Sequence, residues 1–150
     1  MEHKPRILFF STGDATRSQM AEGFVRKFAG DELVPVSTAV KSADRSPLAI
    51  EVMKEVGVDI STQRAEDVKQ SLTEHFSYVI TVCDASRERF PVWPFTRNIF
   101  QWNLVDPESV IGPPEQQREV FRRVHDDIAR NVKEFLAQAR PRLAAGPSTA

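Results

Sequence analysis

Two short segments of the chain are apolar on nearly every residue: Ile7-Leu-Phe-Phe10 and Tyr78-Val-Ile-Thr-Val82. A strand with one wet face alternates apolar and polar side chains, so unbroken runs predict strands covered on both faces. Such strands pair in parallel, and parallel neighbours need crossover connections, usually helical. The intervening sequence supplies them. Met20, Phe24 and Phe28 recur every four residues over 17–29, ahead of Gly30 as a candidate C-cap. Ser46-Pro47 has the N-cap and first-turn chemistry of a helix that reaches Glu55 and stops at Gly57. A weaker helical stretch covers 65–74. After Pro113-Pro114, the positions Val120, Phe121, Val124, Ile128, Val132, Phe135 and Leu136 mark one face of a long helix. Further strands are expected at 33–40, placed at an edge by Pro35, and at 98–102. Alternation of this kind is the mark of an α/β fold with a mainly parallel sheet.

A length of 150 residues suits one domain, expected over 1–140, with a small, polar, flexible tail at 141–150. Twenty Lys and Arg residues against 21 Asp and Glu give a net charge of -1, which argues against a nucleic-acid partner. The single cysteine, Cys83, excludes a disulfide framework and a multi-cysteine zinc site. No metal or other cofactor is expected. The apolar run near the start is too short for a signal segment or a membrane span, so a cytoplasmic monomer without membrane contact is expected.

Ligands of open α/β sheets bind outside the carboxyl ends of the strands. Three segments fall there: Ser11 to Arg17, Cys83-Asp84 and Asp106-Pro107. In the first, a strand runs through a short loop into a helix start, which leaves backbone N–H groups beside the positive end of the helix dipole. The loop residues Thr12, Gly13, Asp14, Ala15, Thr16, Arg17 and Ser18 are the candidate anion-binding set, with Arg17 as a planar two-pronged donor. The competing view is an ordinary strand-to-helix turn in which Arg17 is a solvated surface charge. For Asp106-Pro107 the competing view is a plain turn, and for Cys83 a buried structural thiol.

The stretch Ser11-Thr-Gly-Asp-Ala-Thr-Arg-Ser-Gln-Met-Ala-Glu-Gly23 resembles the phosphate loop of low-molecular-weight protein tyrosine phosphatases, whose signature is Cys, five residues, Arg, Ser. Its continuation resembles the branch that became thiol-dependent arsenate reductases. Segments 46–61, 79–84 and 102–107 point the same way, so the likeness spans residues 5 to 138. It implies a four-stranded parallel sheet with helices on both faces, and arsenate, phosphate or sulfate as ligand. It also implies roles: Ser11 at the nucleophile position, Arg17 on the anion, Cys83 as a second thiol and Asp106 as general acid. A redoxin or a low-molecular-weight thiol would be the electron donor. Glu22, Ser37 and Glu66 fall where some arsenate reductases bind potassium, and ordinary surface polarity explains them equally well.

The chain departs from that pattern at three places. Ser11 stands where the family has its nucleophilic cysteine, Asp14 where it has a loop Asn, and Phe90 where one branch has a third cysteine. An alcohol is a weak nucleophile without a base, and His3, His75 and His125 lie outside the loop segments. Oxyanion binding survives these changes on paper; arsenate reduction does not, because its electrons come from sulfur. The alternatives are a phosphomonoester hydrolase and a Cys-to-Ser trap of an active reductase. Asp14 and Phe90, which a trap does not need, favour natural divergence.

Overall fold

The computed structural model describes residues 4–11, 13–40, 44–83 and 98–144. Four strands form: β1 (Arg6–Ser11), β2 (Val34–Ala39), β3 (Tyr78–Cys83) and β4 (Ile99–Asn103). They make one sheet in the order β2-β1-β3-β4, with every neighbouring pair parallel. Pro35 sits on the edge strand β2, where a missing N–H is tolerated. The helices are α1 (Thr16–Ala29), α2 (Pro47–Glu55), α3 (Val68–Thr73) and α4 (Pro114–Ala144).

Alternate residues of β1 feed two separate apolar layers. Ile7 and Phe9 join the large cluster that contains Met20, Phe24, Val52, Phe121, Ile128 and Val132 from α1, α2 and α4. Leu8 and Phe10 join a smaller one with Phe76, Val79 and, from α3, Val68 and Leu72. Both faces of the sheet are thus covered, as the unbroken apolar runs require.

Local chemistry sets the helix ends. The Ser46 hydroxyl accepts the Leu48 N–H at 3.2 Å to open α2, and Gly57 follows that helix with φ +78, a conformation glycine adopts without strain. A Cβ at Gly23 would lie 2.8 Å from both Ile60 and Val58, so this glycine lets α1 pack closely against the segment after α2. Gly30 does cap α1, but with an ordinary right-handed φ of -63. At the far end α4 outlasts the expected boundary at 140: it carries Pro141 within it and continues to Ala144. The reason is apolar, since Leu143 still packs against the main core. Among the described residues no helix is long and apolar enough to cross a membrane.

The chain leaves β1 for β2 on one side and returns to β3 on the other. Such a reversal opens a crevice between the carboxyl ends of the two central strands. Ser11 ends β1 there and pairs in register with Val82; Cys83 ends β3 and pairs with Asn103. Cys83 is therefore the last residue of its strand, one position later than the sequence pattern placed the strand end.

Candidate functional site

The first-turn N–H groups of a helix have no partners within it. In α1 the N-cap residue is Ala15, which has no side-chain acceptor. The strand supplies one instead: the buried Ser11 hydroxyl oxygen accepts the Ser18 N–H at 2.9 Å. Asp14 Oδ1 accepts the Thr16 N–H at 3.1 Å, and the Asp44 carbonyl accepts the Ala15 N–H at 2.8 Å. These contacts fall within the expected donor set at 12–18. The amides of Ala15, Thr16 and Ser18 are engaged inside the protein, and Thr12 lies outside the described residues.

Arg17 is 1% exposed, which overturns the solvated-surface alternative. Its Nη1 donates to the Leu104 carbonyl at 3.1 Å, and the Leu104 N–H donates to the Cys83 carbonyl at 2.8 Å. A buried guanidinium is tolerated only with such partners. Through them the loop after β1, the end of β3 and the segment after β4 are joined.

Asp106 acts first as a turn residue. Its Oδ1 accepts the Glu108 N–H at 3.0 Å and opens a 3-10 turn, Pro107–Ser109. The turn carries Glu108 back to the loop, where its Oε1 accepts the Thr16 hydroxyl at 2.8 Å. The same hydroxyl oxygen accepts the Ser46 N–H at 2.9 Å. Burial pushes the Glu108 carboxyl up to about 7, and a hydrogen bond with the Asp14 carboxyl and the charges of Asp14 and Asp106 push in the same direction. Glu108 was not among the expected site residues. Its only sequence signal is adjacency to Asp-Pro, and its partner Thr16 lies 92 residues away.

Of the residues suggested for a potassium site, Glu22 and Ser37 meet through their side chains, and Glu66 joins Ser37 through the backbone, its N–H donating to the Ser37 carbonyl at 2.7 Å. Glu22 is 2% exposed; its Oε1 accepts the Ser37 hydroxyl at 2.8 Å and its Oε2 accepts Arg26 Nε at 3.1 Å. The Glu66 carboxylate instead accepts the Ser71 hydroxyl at 2.8 Å and faces Arg6. His125 packs edge-on against Phe24 in the core, and His75 is exposed. Asp84, Phe90, Trp93 and Phe95 lie outside the described residues.

The start of α1 with the buried Ser11 beneath it, a buried arginine and an Asp-Pro turn therefore share one sheet edge. The sequence pattern described as low molecular weight phosphotyrosine protein phosphatase matches residues 6–144. The chain belongs to this family. Within the phosphatase family its similarity runs to arsenate reductases. It is 36% identical to the arsenate reductase of Halalkalibacterium halodurans over 133 residues, 89% of this chain and 96% of that protein. It is 35% identical to the arsenate reductase of Bacillus subtilis over 135 residues, covering 90% and 96%. Solved structures agree. An arsenate reductase in its oxidized state superposes with TM-score 0.75 at 30% identity, covering 89% of this chain and 98% of that one. An arsenate reductase in the phosphate-binding state gives TM-score 0.73 at 29% identity, covering 92% and 98%. The low molecular weight phosphatase of T. tengcongensis shares the fold, with TM-score 0.69 at 24% identity over 90% and 99% of the two chains.

Proposed function

We propose that this phosphatase-family chain binds a tetrahedral oxyanion, arsenate or phosphate, in the loop 11–18 and does not reduce arsenate. One observation carries the reading: the Ser11 oxygen lies buried under the start of α1 and accepts the Ser18 N–H at 2.9 Å. A thiolate at that point would be stabilised by the same N–H and by the helix dipole. A hydroxyl keeps the hydrogen bond and loses the chemistry. It stays protonated at neutral pH, and among the described residues no histidine is hydrogen-bonded to it. Reduction of arsenate needs two electrons, and an arsenate ester of oxygen delivers none. The dipole at the start of α1 and the buried Arg17 beside it support anion binding. That a similar protein was solved in a phosphate-binding state supports the choice of ligand.

The test is an arsenate reduction assay with thioredoxin or glutathione as donor. No turnover above background is expected; turnover by the native chain would overturn the reading, and turnover that also survives Cys83→Ala would overturn the role given to Cys83 as well. Ser11→Cys then asks whether the rest of the machinery remains. Its thiolate would attack arsenic and displace water. Cys83 would attack that sulfur, forming the S–S bond while arsenic takes the electron pair and leaves as arsenite. Mass spectrometry after arsenate treatment should show the bridge. A redoxin or small thiol would then have to reduce it directly, since Phe90 offers no third thiol. Asp106-Pro107 on the same edge supports the hydrolase alternative. Cleavage of p-nitrophenyl phosphate by Ser11→Cys, lost on adding Asp106→Asn, would put that alternative first.

A further inference from the structure

The start of α1 gathers two carboxyl groups where an anion site ordinarily gathers cations. Asp14 is held by the Thr16 N–H and Glu108 by the Thr16 hydroxyl, so one residue at the start of α1 presents both. Through Thr16 the two carboxyls are held at one point, and Asp14 makes Glu108 hold its proton more tightly. The charges around Glu108 are Asp14 from the loop, Asp106 at the start of its own turn and Arg17 from α1, which is turned to the Leu104 carbonyl. From α4, packed on the turn, Arg118 and Arg122 are engaged by Glu51 and Glu55 of α2 and by Glu115. Among the described residues no cation forms an ion pair with Glu108.

Resting on the oxyanion reading above, we infer that the Asp14–Glu108 pair makes the loop select tetrahedral oxyanions that carry a hydroxyl, hydrogen phosphate and hydrogen arsenate, over fully deprotonated ones such as sulfate. Hydrogen phosphate and sulfate are both dianions of similar size and differ by one O–H. An ionised carboxylate only accepts hydrogen bonds. It takes the proton of a P–OH or As–OH group and repels a bare S–O edge. A site built to hydrogen-bond a ligand hydroxyl rejects the analogue that lacks it, because its polar groups are left facing nothing they can bond. When Glu108 takes up its proton it becomes a donor, and the distinction fades. Selection is therefore an alkaline property, setting in as pH rises past the Glu108 value of about 7.

Calorimetric titration of inorganic phosphate and of sulfate, at about pH 6 and about pH 8.5, tests this either side of that value. The variant is Glu108→Gln, which keeps an oxygen acceptor for the Thr16 hydroxyl and cannot ionise. Comparing the two proteins at one pH removes the titration of phosphate itself. At the higher pH the native chain should favour phosphate by about tenfold, and Glu108→Gln should narrow the ratio to within about twofold. At the lower pH the two proteins should agree. Asp14→Asn, which also keeps its acceptor, should narrow the ratio at high pH in the same way. Equal preference in native and variant protein at both pH values would overturn the inference while leaving the anion site standing. Failure of the native chain to bind either anion at either pH would remove the site, and the inference with it.

Discussion

Glu22 and Glu108 are both attached to α1, one from within it and one by reaching its first residue, and both hold their protons more tightly than a free carboxyl. Desolvation is the leading cause in each case, nearly complete at Glu22, which is 2% exposed, and only partial at Glu108, which stays at the surface. What surrounds them differs. Around Glu22 everything else opposes burial: the Ser37 hydroxyl and the Arg26 guanidinium favour the ionised form. Around Glu108 a second carboxyl adds to it, and only Thr16 opposes. A buried carboxylate supplied with donors ties α1 to β2. A carboxyl with no ion-pair partner among the described residues, held at the start of α1, is the one we propose sets which anion the loop accepts.

The largest effect should come from stripping Glu22 of its donor. Ser37→Ala leaves a buried carboxylate short of a hydrogen bond and should cost about 1–3 kcal/mol in denaturant melts. Unchanged stability would show that the contact is idle. Arg26→Ala should cost less than about 1 kcal/mol, because its guanidinium is 55% exposed and screened by water and salt. A larger loss would place the charge pair, rather than burial, in control of Glu22.

Glu108 should show the smallest effect, and one with a sign that depends on pH. Its folded value of about 7 lies above the ordinary 4.5, so the folded chain binds this proton more tightly than the unfolded one. The stability linked to that proton is complete below about 4.5 and is lost as pH rises to about 7. Glu108→Gln, which never ionises, should therefore raise the melting temperature near pH 8 relative to the native chain and leave it unchanged near pH 4. Parallel melting curves at both pH values would mean that Glu108 is solvated like any surface carboxyl.

The sheet was legible because its cause is local. Unbroken apolar runs such as Ile7 to Phe10 declare two covered faces, and Pro35 declares an edge. The Ser46-Pro47 helix start was legible for the same reason. The loop was half legible. Strand, loop and Arg17 gave its position, but the engagement of the Ala15 amide by Asp44 and of Arg17 by Leu104 depends on chain segments that only the finished topology brings together. Glu108 was hidden most deeply. Its role needs β4 beside β3 and β3 beside β1, so that a turn after the last strand can touch the start of the first helix. The helix end beyond Pro141 was missed because a proline and small residues outweighed one distant apolar contact, that of Leu143.

The most direct test is a calorimetric titration of arsenate into the native chain and into Arg17→Ala, with product arsenite assayed in the same samples. The native chain should bind one arsenate and release no arsenite, and Arg17→Ala should bind about 1.5–3 kcal/mol more weakly. Arsenite released by the native chain, or arsenate binding that is equally strong without Arg17, would contradict the account.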